Sequence, residues 1–304
     1  MADEHIKRII FKEYTTPPNP CSYYEDSRDM MMAIEHPVSC TSSELYNHLA
    51  LHGCRRQGTI IYKTCCPQCR DCISSRVPAD EFRPNRTMRK LLKRNSDLTL
   101  IPIRDPKPTS EYYDLYQRYE ASRHVASMMT EYSYGEFREA LFETNVNTIL
   151  LETRLGRELV SLAIVDLFTH GVSAVYTFFS PDYPARSLGT FSILKQIGLA
   201  RARGAHQYLY LGYWLYELPQ MDYKRLFKPF QVFWDSRWQL LEDCEDEIRE
   251  SRDRSRELAA CPRTTLSVSI SNKADFFDPI KITLCSTTSL DQFFSACPLK
   301  PPTR

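Results

Sequence analysis

Three thiols stand two residues apart in Cys66-Pro-Gln-Cys69-Arg-Asp-Cys72, with Cys21 well upstream. Cysteines at that interval can close on one soft cation, and neither a helix nor a strand needs sulfur there. The competing reading is that they are small buried hydrophobes. Shortly before the triplet runs Gly53-Cys54-Arg55-Arg56-Gln57-Gly58. In an extended chain Arg55 and Arg56 point to opposite faces. One guanidinium is then free to grip a carboxylate bidentately while its neighbour faces phosphate or solvent.

Further candidates lie downstream. Asp166 falls late in a strand, where a carboxylate could take a proton from an attacking amine, or simply end the strand as an exposed acid. His124, after Arg123, is either a polar site residue or a satisfied histidine at a helix end. Arg186-Ser187-Leu188-Gly189-Thr190 sits where a helix begins, so its amides can face a phosphate or an oxyanion, or be an ordinary helix start. The bulk of Phe191, two positions after the glycine, disfavours the usual pyrophosphate seat of a coenzyme-A enzyme. Arg86, Arg89, Lys90, Lys93 and Arg94 recur every three or four residues, which on a helix makes one positive stripe. Such a stripe is either a solvated face or a phosphate-binding surface for RNA.

Those residues need elements to hold them. Residues 1–80 read as irregular and cysteine-rich, with one short helix near Ser43 to Leu51. Residues 81–104 read as a basic linker. A helix from Glu111 to Arg123 and a second from Tyr134 to Phe142 follow the 3.6-residue period. β-branched and aromatic residues then predict a meander: Thr148 to Thr153, Leu159 to Phe168 and Val172 to Phe179. A helix through Phe191, Leu194 and Ile197, ended by Gly204, leads to a buried strand, Tyr208 to Trp214. That order predicts an α+β chain with an acetyltransferase-like (GNAT) mixed sheet over residues 105–234, preceded by the cysteine-rich domain. Residues 235–304 read as an extension without an assigned role, with a helical face near Leu240 to Ile248 and strands at Leu266 to Ile270 and Ile280 to Leu284.

The totals bound the function. Across 304 residues the formal net charge is only +1, so nucleic-acid contact must be a local patch. Eighteen Tyr and fifteen Phe give a folded composition. The first residues carry acids and show no secretory signal, and nowhere is an apolar run long enough to span a bilayer. Eleven cysteines in such a chain are expected to be reduced and cytoplasmic.

Several ordered blocks carry a family resemblance. Pro20-Cys21-Ser22-Tyr23, the Gly53 to Gly58 run, Tyr62 with the cysteine triplet, and Leu92-Lys93-Arg94-Asn95 look like the amino-terminal half of the bacterial aspartate/glutamate leucyltransferases. These are relatives of the eukaryotic arginyl-tRNA-protein transferases. Ala174 to Phe178, Ser187 to Thr190, Tyr208 to Trp214, Met221-Asp222-Tyr223-Lys224 and Phe227-Lys228-Pro229 resemble the second half. The likeness covers roughly residues 8–232.

The resemblance implies transfer of leucine from leucyl-tRNA to the α-amino group of proteins beginning with Asp or Glu, marking them for degradation. Arginyl transfer by the same chemistry is the nearest alternative, and coenzyme-A-dependent N-acetyl transfer or a noncatalytic zinc-containing RNA-binding module are others. Under it Arg55 or Arg56 holds the acceptor carboxylate, and Asp166, Tyr213 and Lys224 form the reaction pocket with Tyr223. Arg86, Arg89, Lys93, Arg94 and Ser187 to Thr190 meet the donor tRNA. Cys21, Cys66, Cys69 and Cys72 hold zinc or an iron-sulfur cluster, with Cys65 as a substitute ligand. No free organic cofactor and no membrane partner is expected.

Overall fold

The computed structural model describes residues 11–24, 28–37, 43–123 and 132–260. His124, Cys261, Cys285, Cys297 and the two strands expected after residue 265 lie outside them.

The elements run β1 (Phe11–Thr15), β2 (Asn19–Pro20), β3 (Asp29–Met30), β4 (Met32–Pro37), α1 (Ser43–Leu51), β5 (Arg55–Gln57), β6 (Ile60–Thr64) and β7 (Ile73–Pro78). Then come α2 (Arg86–Arg94), β8 (Leu98–Ile103), α3 (Ser110–Arg123), α4 (Tyr134–Leu141), β9 (Thr148–Leu155), β10 (Glu158–Phe168) and β11 (Gly171–Phe179). The chain continues through α5 (Leu188–Ala202), β12 (Tyr208–Trp214), α6 (Pro219–Asp222), β13 (Gln231–Trp234), β14 (Arg237–Leu240) and α7 (Leu241–Ala260).

An eight-stranded sheet in the order β14-β13-β7-β12-β11-β10-β9-β8 organises the molecule. The expected meander forms β9, β10 and β11, paired antiparallel, and β12 joins β11 in parallel. A four-stranded sheet, β1-β4-β6-β5, precedes it. The described part of the first 80 residues is thus more regular than its turn-rich sequence suggests. It is also not self-contained, because β7 inserts between β13 and β12.

The stretch expected to be a linker belongs to this sheet as well. Its residues form α2 and β8, the latter paired with β9. Met88 and Leu91 of α2 are buried in the main core while the basic residues between them are exposed. Asn85 caps the helix, its side chain accepting from the Met88 amide at 3.0 Å. The charge run hid an amphipathic helix whose apolar positions are few but deeply placed.

One sheet face is covered by α2, α5 and α7, which bury Phe191, Leu194, Ile197 and Ile248 against Val165, Leu211 and Trp214. The other is covered by α3 and α4, with Tyr112, Leu115, Tyr116 and Phe137 against Leu162, Ile164 and Phe178. Each such side chain contributes roughly 1.5–3 kcal/mol on burial. The helix expected near residue 240 begins only at Leu241. Before it, β13 and β14 form a hairpin turning at Asp235 and Ser236, with φ of 50° and 64°. Two left-handed residues at a hairpin tip match the strand twist, but without glycine the turn is invisible in sequence. Among the described residues no helix is long and apolar enough to cross a membrane.

Candidate active site

The parallel strands β11 and β12 pair only from Gly171 to Ser173 against Tyr208 to Tyr210. Beyond that point they part into a wedge. At the closed end the backbones approach so nearly that a Cβ on Gly171, at φ 149°, would lie 2.0 Å from the Tyr208 carbonyl oxygen. Each strand carries a register shift just past the pairing, between Ile164 and Val165 in the β10–β11 ladder and between Tyr210 and Gly212 in β12–β7. Bulges of this kind bend a strand and re-aim its side chains.

Arg55 lies across the start of the wedge. Its guanidinium donates to the Ala174 carbonyl at 3.3 Å and to the Ser173 hydroxyl at 3.5 Å. It reaches over Gly212, where a Cβ would meet Nη2 at 2.6 Å. A narrow crevice beside it is lined by Tyr46, Ser74, Ser173, Tyr210 and Trp238.

Around Arg55 the structure gathers Tyr213, Lys224 and two residues to which the sequence assigned no such role, Tyr62 and Tyr23. Tyr62 stacks edge-on to Tyr213 with ring centroids 6.2 Å apart. The Tyr213 hydroxyl accepts from the Thr64 amide at 3.1 Å. Burial raises the Tyr62 hydroxyl despite the lowering effect of Arg55, and raises Tyr213 well above the phenol range with the help of Tyr62 and Cys72. Tyr23 is raised by burial in the same neighbourhood, and Cys72, Tyr62 and Arg55 all act on it. Tyr62 and Tyr23 were legible only as parts of family blocks, since nothing in a lone tyrosine announces a partner 150 residues away.

The Lys224 amine donates to the Tyr213 carbonyl and lies 3.3 Å from the Met221 sulfur. Burial, followed by the positive charge of Arg55, lowers it from 10.5 to about 7, with Cys72 opposing. The unfolded chain therefore holds a proton that the native protein has lost between about pH 7 and 10.5. Stability should rise across that window by up to about 1.4 kcal/mol per pH unit. Denaturant titrations at several pH values should show this slope in the wild type and its loss in Lys224→Met.

Arg56 and Asp166 correct the sequence expectation. They face each other rather than a substrate: Nε and Nη2 of Arg56 donate to the two carboxylate oxygens at 2.8 and 2.7 Å. Thr148 donates to Asp166 at 2.7 Å as well. Both side chains are closed to solvent, at 1% and 0% exposure. Burial works to lower Arg56, and the Asp166 carboxylate overrides it and raises it. A carboxylate with three donors and no access cannot take a proton from an incoming amine, so Asp166 is an internal counterion and Arg56 is its partner. Of the adjacent arginines, Arg55 alone opens toward the wedge.

The four cysteines share one neighbourhood. The Cys72 thiol is pushed well above its usual value by burial and by Cys69, Cys66 and Cys21. Burial, then Asp71, pushes Cys69 up to about 11. Asp71 is itself held by Arg28 at 2.9 Å and by the Tyr24 hydroxyl at 3.0 Å. The donor chemistry suits a thiophilic ion, which would relieve the mutual repulsion of the thiolates. As the side chains stand, no three donors among the described residues are spaced for coordination.

The basic stripe and the start of α5 form one surface. The Arg94 guanidinium donates to the Ala185 carbonyl, and Asn95 donates to the Arg186 carbonyl at 2.9 Å. Arg86, Arg89, Lys93 and Arg94 stay exposed, although Arg89 also donates to Pro84 at 2.7 Å. At the helix start Ser187 is left-handed, with φ 45°, and makes no side-chain cap. The first-turn amides are thus open to a ligand. Leu188 is different: its side chain is buried in the core, so only its backbone is available. Phe191 is buried too, and the ring lying over Gly189 belongs to Phe179, 3.0 Å from where a Cβ would stand.

The models of the amino and carboxyl termini of arginine-tRNA-protein transferase match residues 19–90 and 111–234. The aspartate/glutamate leucyltransferase of Pseudomonas aeruginosa strain LESB58 is 38% identical over 227 residues, which is 75% of this chain and 95% of the relative. That of Acinetobacter baumannii strain AYE is 36% identical over 243 residues, 79% of this chain and 89% of the relative. Among solved structures, L-PGS from Bacillus licheniformis gives a TM-score of 0.37 at 10% identity over 47% of this chain and 45% of that one, too slight a likeness to decide the fold. With both halves matched in order and nearly the whole length of these relatives spanned, the chain belongs to the aspartate/glutamate leucyltransferase family.

Proposed function

We propose that this chain transfers leucine from leucyl-tRNA to the α-amino group of proteins that begin with Asp or Glu, marking them for degradation in the cytoplasm. One observation carries the reading: a half-buried guanidinium, Arg55, is held across the mouth of a wedge between splayed parallel strands. An acidic side chain entering that wedge meets a fixed positive charge in a site of low dielectric. The acceptor nitrogen then lies beside the ester of the donor. It bonds to the acyl carbon while the bond from that carbon to the ribose oxygen breaks, and the proton lost by the amine ends on the ribose. No covalent enzyme intermediate is required, so positioning and electrostatic stabilisation supply the acceleration.

The order β9-β10-β11-α5-β12 and its splayed pair support a GNAT-type core. The exposed stripe on α2 follows the acceptor stem by phosphate and shape, and the open amides of α5 face the reacting end. Lys224 and Tyr213 line the acceptor side, where an incoming carboxylate favours the charged form of Lys224. Cys21, Cys66, Cys69 and Cys72 would hold zinc or an iron-sulfur cluster as a local brace beneath Tyr23 and Tyr62; every reacting group named above is organic.

Purified protein is offered peptides beginning with Asp, Glu or Asn, with labelled leucyl-tRNA, arginyl-tRNA or acetyl-coenzyme A. Label from leucyl-tRNA in the acid-started peptides alone is the expected result. Label only from acetyl-coenzyme A overturns the reading. Arginine as donor is the second reading, favoured by the description of both matching family models. The same preparation, purified without air, should lose its metal in Cys69→Ser; unchanged content removes the brace.

A further inference from the structure

The reaction requires a group to take the proton of the acceptor amine, and the locked Asp166 leaves that post vacant. Glu120, on α3, is a second buried carboxylate, at 0% exposure. Its Oε1 accepts the hydroxyl proton of Tyr176 on β11, while Oε2 has no hydrogen-bond partner among the described residues. An orphaned carboxylate oxygen in a core costs stability, so its retention calls for a reason. Tyr116, Tyr119 and Tyr132 lie close enough for its charge to act on them, and Arg123 acts on Tyr119 as well.

Tyr176 stands differently. It is only half-buried and lies on the part of β11 that has left β12. Its single O–H is committed to Glu120, so the lone pairs of its oxygen are left for a donor arriving through the wedge. Arg55 is held at Ser173 and Ala174 of the same strand. Ala174 and Tyr176 flank the bulge in β11, so the carbonyl that anchors Arg55 and the Tyr176 ring are neighbours on the part of the strand that leaves β12. A carboxylate on Arg55 therefore brings the α-nitrogen toward the Tyr176 oxygen. Tyr132 links the two, since it accepts a hydrogen bond from Gln57 on the strand that bears Arg55.

We infer that Tyr176 is the catalytic proton acceptor of the acceptor amine and Glu120 the positioning residue behind it. This rests on the acceptor being bound by Arg55 as proposed above. In the step, the α-ammonium passes a proton to the Tyr176 oxygen as the Tyr176 proton moves to Glu120. The neutral nitrogen then bonds to the acyl carbon, the ester C–O bond breaks, and the second proton of the amine goes to the departing ribose oxygen. Glu120 afterwards returns its proton through Tyr176 to solvent.

The test measures kcat and both KM values for Tyr176→Phe, which removes one oxygen, and Glu120→Gln, which keeps an oxygen to accept from Tyr176. Each should lower kcat about 100-fold with the KM for donor tRNA unchanged. The decisive arm replaces the acceptor α-amine with an aminooxy group, whose weakly basic nitrogen is unprotonated at neutral pH. Both variants should then run within a few-fold of wild type. Equal loss with amine and aminooxy acceptors, or full activity of both variants with the ordinary amine, overturns the inference. A wild type inactive with every charged tRNA would instead count against the transfer reaction itself.

Discussion

Arg55→Met is expected to lower kcat/KM for peptides beginning with Asp or Glu by about 10³-fold, close to 4 kcal/mol, while the KM for charged tRNA stays within two-fold. The size follows from where the guanidinium sits. It is half-buried, anchored to Ser173 and Ala174, and pressed over Gly212, so a substrate carboxylate reaching it has already shed most of its water. Arg55→Lys should recover little, because an ammonium cannot span two carboxylate oxygens from the same anchor. Steady-state kinetics with paired Asp and Asn peptides provides the check. The preference for Asp should collapse in the variant, and a preserved ratio would move the acceptor carboxylate to another cation. Gly212→Ala should give the same phenotype by a different route: the new methyl displaces the guanidinium, and φ of 77° strains the residue as well.

The largest loss of stability is expected one residue on. Arg56→Met strands the Asp166 carboxylate, 0% exposed, with Thr148 as its only remaining side-chain donor among the described residues. Breaking such a pair costs about 3–5 kcal/mol, a large share of the whole stability of a folded domain. Replacing both members, as Arg56→Met with Asp166→Leu, should restore most of it, since the desolvation of both charges then vanishes. Chemical denaturation of the two single variants and the double would reveal a coupling of several kcal/mol. Were Asp166→Asn to fold normally and lose only activity, the assignment of this pair to architecture would be wrong. The contrast between neighbours is the point: Arg55 and Arg56 are alike in sequence, yet one opens toward the wedge and the other is locked in a buried ion pair.

The strand meander and the helix that follows it were open to inspection in the chain because their causes are local. Alternation of β-branched and aromatic residues specifies β9 to β11 wherever they pack, and Gly204, at φ 137°, lies just past the end of α5 at Ala202 as its type suggests. Where the cause lay elsewhere, local pattern misled. The run from Arg83 to Arg94 advertises charge, yet Met88 and Leu91 fasten it to the core. Asp235-Ser236 turns a hairpin without the glycine that would announce it.

Residue types alone established the kinds of chemistry on offer: a guanidinium for a carboxylate, thiols for a soft cation, a positive stripe for phosphates. They also established family membership, because ordered blocks survive in a linear string. The choice between Arg55 and Arg56, the burial of Asp166, the depressed Lys224 and the pairing of Glu120 with Tyr176 were decided by tertiary structure. Each depends on how much water and how much opposing charge surrounds a group, and those are set by segments more than fifty residues away in the chain.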